Sequence, residues 1–500
     1  MGLFDMESVV IHKLYKLIKR EEKMLEKIFK LSENKTTVKT EIMAGLTTFM
    51  TMAYIIALNP NLLTGFGAEG TKALWNGVFL ATCIASAVAM FMMAFLANKP
   101  FALAPGMGLN SFFAVVVANI VSLTGMSYVS SFQAALCIIF IEGVIFFVLS
   151  IFNIRDKIVD AIPYGVRMGI SPAIGLMLLN IGLGSNAGVY NSKGEGAFYV
   201  MRDFFGALTP SLATKNMGDG YPTMVLTVVT MFVGLFVIII LAHKGINGAV
   251  LFGMLSACVI YWAGEALFFH TNPFAALATA SFVPPVKDMV DTTLFKLDFK
   301  DFISIGWFTA VSLIITFCII DMFDTIGTLV GTASRAGMVD KQGNMPNMKQ
   351  ALISDAVGTM VGACTGTSTV TTFVESASGV EAGGRTGLTA FTTGILFLAC
   401  IFIAPIAAII PAAATSSALI YVGILMLGGL KHVDFEDLSQ VAPVALMLIS
   451  MPISGSIGHG IGIGLITYTV LKVFTGKAKE VSWLTYVISA IFLVKFFLVV

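Results

Sequence analysis

Charge is what this chain has least of. Of its 500 residues only 12% are Asp, Glu, Lys or Arg, whereas 57% are hydrophobic, and mean hydropathy is +0.90. A soluble domain carries roughly 25% charged residues, so the composition excludes a soluble globular protein and points to an all-α polytopic membrane protein. Net charge is +1, which leaves no electrostatic case for nucleic acid, and the C₂H₂, P-loop and RNP patterns are missing too. Cysteine is scarce: Cys83, Cys137, Cys258, Cys318, Cys364 and Cys400 each fall in an apolar stretch and form no CxxC pair. They read as small buried residues, not as disulfide or metal partners. Five scattered histidines make no metal constellation, and no nucleophile–base pair is evident, so the chain does not read as an enzyme and no cofactor is expected. A cleavable signal peptide is also missing; the first 40 residues are polar.

What is present is a succession of hydrophobic spans. A helix needs about 20 apolar residues to cross the hydrocarbon core. Fourteen candidates follow one another at 41–58, 74–97, 101–121, 132–152, 163–184, 222–242, 246–269, 304–330, 348–363, 366–378, 386–410, 412–430, 438–453 and 456–474. We number them segments 1 to 14. A further apolar stretch, 482–499, either crosses again or lies along the surface. Short loops at one membrane side carry Lys99, Arg155, Lys157, Arg167, Lys244, Arg335, Lys341, Lys349, Arg385 and Lys431, and the opposite loops at 122–131 and 364–365 carry none. Positive charge marks the cytoplasm, which predicts a cytoplasmic N-terminus in the cell membrane. Ahead of the first span, 13–31 places Leu14, Leu17, Ile18, Met24, Leu25, Ile28 and Phe29 on one stripe. That is an amphipathic helix on the membrane surface, or a solvated tail.

Fourteen divides into two sets of seven, and an odd count makes the second set run inverted. Inverted repeats mark secondary transporters. The expected layout is a cytoplasmic segment 1–40, a first repeat 41–269, an extracellular connection 270–303, a second repeat 304–474 and a hydrophobic C-terminal segment 475–500.

The third segment of each repeat is irregular. In KPFALAPGMGLNSFFAVVV (99–117), Pro100 and Pro105 cannot donate backbone hydrogen bonds, and Gly106 and Gly108 loosen the chain. In GTSTVTTFVESASG (366–379), β-branched threonines favour extended geometry. Extended backbone at membrane depth survives only inside protein or beside a water-filled cavity. The two pieces are therefore expected to support one another as short strands. Helices should resume near Gly108–Asn110 and Phe373–Glu375, presenting backbone N–H groups to a polar ligand.

Glu375 is the one carboxylate of 366–379, and a buried carboxylate is costly unless it has work to do or a partner. It is a candidate ligand acceptor or proton carrier, the alternative being a capping residue in a buried network. Segment 8 adds Asp321 and Asp324 at i, i+3 and Thr328 at i, i+4 from Asp324, able to share one face. Asp324 is the candidate ligand-facing residue and Asp321 a support or proton relay. Thr47, Thr48, Thr51 and Tyr54 of segment 1 read as helix packing, and His459 of segment 14 as a packed histidine.

TTFMTMAYIIALNP (47–60), APGMGLNSFF (104–113), DTIGTLVG (324–331), TTFVESASGVEAGGRTGLTA (371–390) and ISMPISGSIGHGIGIG (449–464) resemble the AzgA-like purine permeases of the nucleobase–cation symporter-2 group. The resemblance runs from about 36 to 475. It implies a core domain of segments 1–4 and 8–11, a gate domain of segments 5–7 and 12–14, and a base held between segments 3 and 10. Carried over by motif, the site residues are Gly108, Asn110, Asp324 and Glu375. The uracil branch has a glutamate and a histidine where this chain has Asp324 and Thr328, which favours a purine over a pyrimidine. Dimers through the gate domain are a further implication.

The expected function is proton-coupled import of adenine, guanine or hypoxanthine, with Na⁺ as the alternative coupling ion. Glu375 would accept from ring N–H groups, Asn110 would donate and accept, and Asp324 would take up the coupling proton. Phe112, Phe113 or Phe373 would stack on the ring or pack. A xanthine- or uracil-type carrier is the near rival. An anion transporter on the same architecture is the other; it would want a cation near segment 10, and the nearest is Arg385.

Overall fold

A computed structural model describes residues 23–65, 70–152, 162–183, 221–339 and 345–498. Most of the 185–221 loop and the stripe residues Leu14, Leu17 and Ile18 lie outside these. Segment 1 is two helices, Val38–Met52 and Ile55–Leu63, broken at Ala53–Tyr54. Segment 2 is Lys72–Met92, extended by a π-helical turn Met93–Ala97. Segments 3 to 7 have helices Met107–Thr124, Tyr128–Ile151, Tyr164–Ile181, Tyr221–His243 and Ala249–Phe268. Segments 8 and 9 are Trp307–Arg335 and Met348–Thr365, and the helix of segment 10 is Ser376–Glu381. Segment 11 begins with Gly387–Ala399, segment 12 is Ala412–Met426, segment 13 Leu438–Ser454 and segment 14 Ile457–Phe474.

Side-chain caps set several of these starts. Thr37, Ser127, Thr386, Asp437 and Ser456 each accept a backbone N–H of the first turn. Segment 3 stops at Gly125, whose φ of +71° is the left-handed geometry of a helix C-terminus.

Among the described residues, eleven helices are long and apolar enough to cross a membrane. Segments 9, 10 and 13 complete the fourteen. Segment 9 is rich in Gly, Ala, Ser and Thr because it is buried among other helices, with Ala351, Ser354, Asp355, Gly358, Thr359 and Gly362 all covered. Segment 10 is broken, and the helix of segment 13 is 17 residues long.

The helices pack in two groups. Segment 9 lies on segments 2 and 4, and segment 11 on segments 1 and 2. Separately, segment 5 lies on 12 and 13, segment 6 on 7 and 12, and segment 13 on 14. These are a core and a gate. Small residues mediate where they meet: a Cβ on Gly108 of the core would lie 2.7 Å from Ile174 Cγ2 of the gate, and one on Gly248 of the gate 2.9 Å from Met50 Cε of the core.

The connection between the repeats is fastened to the core. Its helix Val286–Thr292 lies on segment 2 and its helix Phe299–Ser304 on segment 4. Asn76 Nδ2 donates to Asp288 Oδ2 at 2.6 Å, Gln133 Nε2 to the Thr292 carbonyl at 2.8 Å, and the Phe295 N–H to the Cys364 carbonyl at 2.7 Å. The end of the N-terminal stripe is fastened as well. Phe29 is buried, with its ring 5.8 Å from Phe95 and 6.4 Å from Phe391, and Asn98 Nδ2 donates to its carbonyl at 2.9 Å. Met24 and Ile28 stay exposed. A last helix, Trp483–Leu498, packs on segment 14, where Phe496 meets the ring of His459 at 5.5 Å.

Candidate substrate site at the crossing of segments 3 and 10

Two three-residue strands, β1 (Leu103–Pro105) and β2 (Val370–Thr372), pair antiparallel with Leu103 opposite Thr372 and Pro105 opposite Val370. Pro105 has no N–H to give, and the ladder is continued by its neighbour: the Gly106 N–H donates to the Thr369 carbonyl at 3.1 Å. At the other end the Phe373 N–H donates to the Ala102 carbonyl at 3.0 Å. The extended stretch thus satisfies its backbone at membrane depth, as it must. The helix of segment 3 resumes at Met107 with Gly106 as its N-cap residue, one residue before the expected Gly108–Asn110. Segment 10 resumes at Ser376, just after Glu375, in a helix of only six residues.

Glu375 is half-buried, and Tyr54 donates to its Oε1 at 2.8 Å. The break at Ala53–Tyr54 lets segment 1 deliver this hydroxyl. Asp324 is also half-buried and faces the start of the segment 3 helix: a Cβ on Gly106 would sit 3.5 Å from its Oδ2. The charges nearest Asp324 are the carboxylates of Asp321 and Glu375.

From Asp324 onward, one face of segment 8 is open. Thr328 is half-exposed, and nothing lies within 4 Å of where a Cβ would stand on Gly327 or Gly331. Residues spaced by three, four and seven share a helix face, so Asp324, Gly327, Thr328 and Gly331 lie along one open face. Toward the Trp307 end the same face is closed. Ile320 and Phe317 are fully buried, and the Phe317 ring lies 4.7 Å from that of Phe112.

Asp321 does not join this face. It is fully buried, and its Oδ1 accepts from Thr325 Oγ1 at 3.0 Å. The same hydroxyl lies 3.2 and 3.1 Å from the two carboxylate oxygens of Asp355 in segment 9, and 2.7 Å from Thr371 Oγ1 of β2. A hydroxyl has one hydrogen, so it cannot serve both aspartates together. Segment 8 packs chiefly on segment 4 and β2, and Asp321 lies on its buried side.

Other expected residues fall near the crossing in different roles. Asn110 is wholly buried; its Nδ2 donates to Asn59 Oδ1 at 2.7 Å and to the Pro105 carbonyl at 3.1 Å, and its Oδ1 accepts from Ser368. Gly108 backs onto Ile174 of the gate. Phe112 and Phe113 pack on Phe317 and Phe132, and Phe373 is buried. Thr47, Thr48 and Thr51 donate back into their own helix. Arg385 donates to the carbonyls of Val380 and Gly384.

Several residues escaped the sequence reading: Tyr54 as a partner of Glu375, Asn59, Asp355, and Glu142 of segment 4. Glu142 is fully buried, with its Oε2 2.8 Å from the Thr369 hydroxyl that donates to it. A lone carboxylate inside IIFIEGVIFF (138–147) is a signal by itself.

A helical membrane fold with two broken crossings that meet at acidic residues beside an open helix face defines a carrier rather than an enzyme. The chain belongs to the Permease family, whose xanthine/uracil permease model it matches over residues 39–463. It is 37% identical over 473 residues to the adenine permease AdeP of Escherichia coli strain K12, covering 94% of this chain and 96% of that one. It is 36% identical over 474 residues to the guanine/hypoxanthine permease PbuO of Bacillus subtilis strain 168, covering 94% and 100%. Among solved structures, the transmembrane domain of a cyanobacterium bicarbonate transporter, BicA, shares the fold with a TM-score of 0.56 at 14% identity, covering 87% of this chain and 96% of that one.

Proposed function

We propose that the protein imports purine nucleobases (adenine, guanine or hypoxanthine) by proton symport across the cell membrane, with its N-terminus cytoplasmic. The observation that carries this reading is Glu375. It is half-buried and held by Tyr54, close to the carboxylate of Asp324, and among the described residues no cation is paired with it. An acceptor of that kind suits the N–H edge of a neutral heterocycle. It opposes an anion, and this separates the chain from bicarbonate carriers of the same fold. The relatives named for adenine, guanine and hypoxanthine support the same substrate class.

In this mechanism the base enters along the open face at Thr328 and lies against Glu375, which accepts from a ring N–H. Phe373 borders it, and the backbone around Gly108 approaches when the gate moves away. Asp324 takes up the coupling proton, with Asp321 relaying to it. Asp355, joined to Asp321 through the Thr325 hydroxyl, extends that set. The core then slides or rocks against the gate. Homodimerisation through the gate, and Na⁺ in place of H⁺, are separate questions for the same preparation.

The test is uptake of labelled adenine into proteoliposomes with and without an inward pH gradient, competed with guanine, hypoxanthine, xanthine and uracil. Gradient-dependent accumulation competed by purines is expected. Uptake that follows a Na⁺ gradient and ignores pH would replace the coupling ion, and competition by uracil alone would replace the substrate.

A further inference from the structure

At the crossing, side chains of four segments meet in one buried network. Asn59 of segment 1 donates one amide hydrogen to Thr82 Oγ1 of segment 2 at 2.8 Å and the other to Thr367 Oγ1 of segment 10 at 2.9 Å. Its Oδ1 accepts from Asn110 Nδ2 of segment 3 at 2.7 Å. Asn110 gives its second hydrogen to the Pro105 carbonyl and accepts from Ser368. All of these side chains are fully buried. A primary amide has two hydrogens to donate, and all four in this pair are spent on protein.

Two consequences follow from the geometry. The bond from Asn110 to Pro105 ties the end of β1 to the first turn of the segment 3 helix, across the residue that faces Asp324. The bonds to Thr367 and Ser368 tie the chain just before β2. One amide pair, from segments 1 and 3, therefore fixes both strands of the crossing and anchors them to Thr82 of segment 2.

We propose that Asn59, acting through Asn110, is a positioning residue of the transport site, and that neither amide touches the transported base. The proposal rests on the crossing being the substrate site. An amide is required because each position must donate twice and accept once, which Asp and Ser cannot do.

The experiment measures binding of adenine, guanine and hypoxanthine to purified full-length protein, with hydrogen exchange followed in parallel over 101–110 and 366–373. Asn59→Ala and the milder Asn59→Ser should raise Kd for every base that binds by a common factor of about ten. The ranking of bases should not change, and exchange should quicken in both stretches. The Asn59→Ala, Asn110→Ala double variant should be no worse than the worse single one, because both remove the same interlock. Asn61→Ala, which loses only the bond from Trp75 Nε1 at 2.7 Å, should bind as the wild type does. A change of ranking in Asn110→Ser, sparing one base and losing another, would show direct contact and overturn the proposal. So would unchanged exchange in the Asn59 variants, even if the wild-type protein bound no purine at all; that last result alone would instead remove the substrate reading.

Discussion

At the scale of single residues, the site is a set of acids arranged by hydroxyls. Glu375 has Tyr54, Asp321 and Asp355 share Thr325, and Glu142 has Thr369. Hydrogen bonds to charged groups contribute about 1.5–3 kcal/mol, so removing the acceptor at Glu375 should weaken purine binding roughly 10- to 100-fold. Equilibrium binding to Glu375→Gln checks this, and a wild-type Kd would remove Glu375 from the site. Tyr54→Phe keeps the ring and deletes one hydrogen bond; a loss of about tenfold is expected, in Kd more than in maximal uptake rate. Asp324→Asn should behave differently. It lies on the open face of segment 8 with no side-chain hydrogen bond among the described residues, so binding should survive while accumulation driven by a pH gradient is lost. Counterflow exchange at equal pH, retained in this variant, is the matching measurement.

At the scale of elements, the crossing depends on close approach of backbone. A methyl group on Gly106 would stand 2.5 Å from Thr371 Cγ2. Overpacking of this kind costs about 1–3 kcal/mol. Gly106→Ala should therefore lower the thermal midpoint and purine affinity together, and adding Thr371→Ser, which removes the offending methyl and keeps the hydroxyl, should restore both. Failure of the rescue would mean that Gly106 matters for some other reason. These breaks were legible in the sequence because their causes are local: Pro100 and Pro105 remove donors, and the threonines of 367–372 prefer extended backbone. The partners were not legible. Tyr54 meets Glu375 across 321 positions, Thr369 meets Glu142 across 227, and Thr325 meets Asp355 across 30. Helical spacing alone also allowed Asp321 to share a face with Asp324; it cannot show that Asp321 is wholly buried while Asp324 is not. The capping carboxylate Glu41 belongs to the same class. It is buried beneath the start of segment 11, where it accepts the N–H groups of Arg385, Thr386 and Thr389, and nothing in its own neighbourhood announces those partners.

At the scale of the whole molecule, the division into core and gate sets what can move. The connection between the repeats and the described end of the N-terminal segment both fasten to core helices, through Asn76, Gln133 and Asn98. They would travel with the core. Contact between core and gate instead runs through small residues such as Gly108 against Ile174. A Cβ on Gly108 would lie 3.9 Å from Ile174 Cβ, within the range of about 3.5–4.5 Å that a disulfide needs. In a background freed of the six native cysteines, Gly108→Cys paired with Ile174→Cys should arrest uptake when oxidised and release it when reduced. A second pair, Gly77→Cys with Thr293→Cys, joins two parts of the core, because Thr293 packs against Gly77 at 2.8 Å from its built Cβ. Oxidation of that pair should leave uptake as it is under reduction. If both pairs arrest uptake alike, the core does not move as one piece. If neither does, the substrate passes without displacement of core against gate, and the sliding mechanism fails with it.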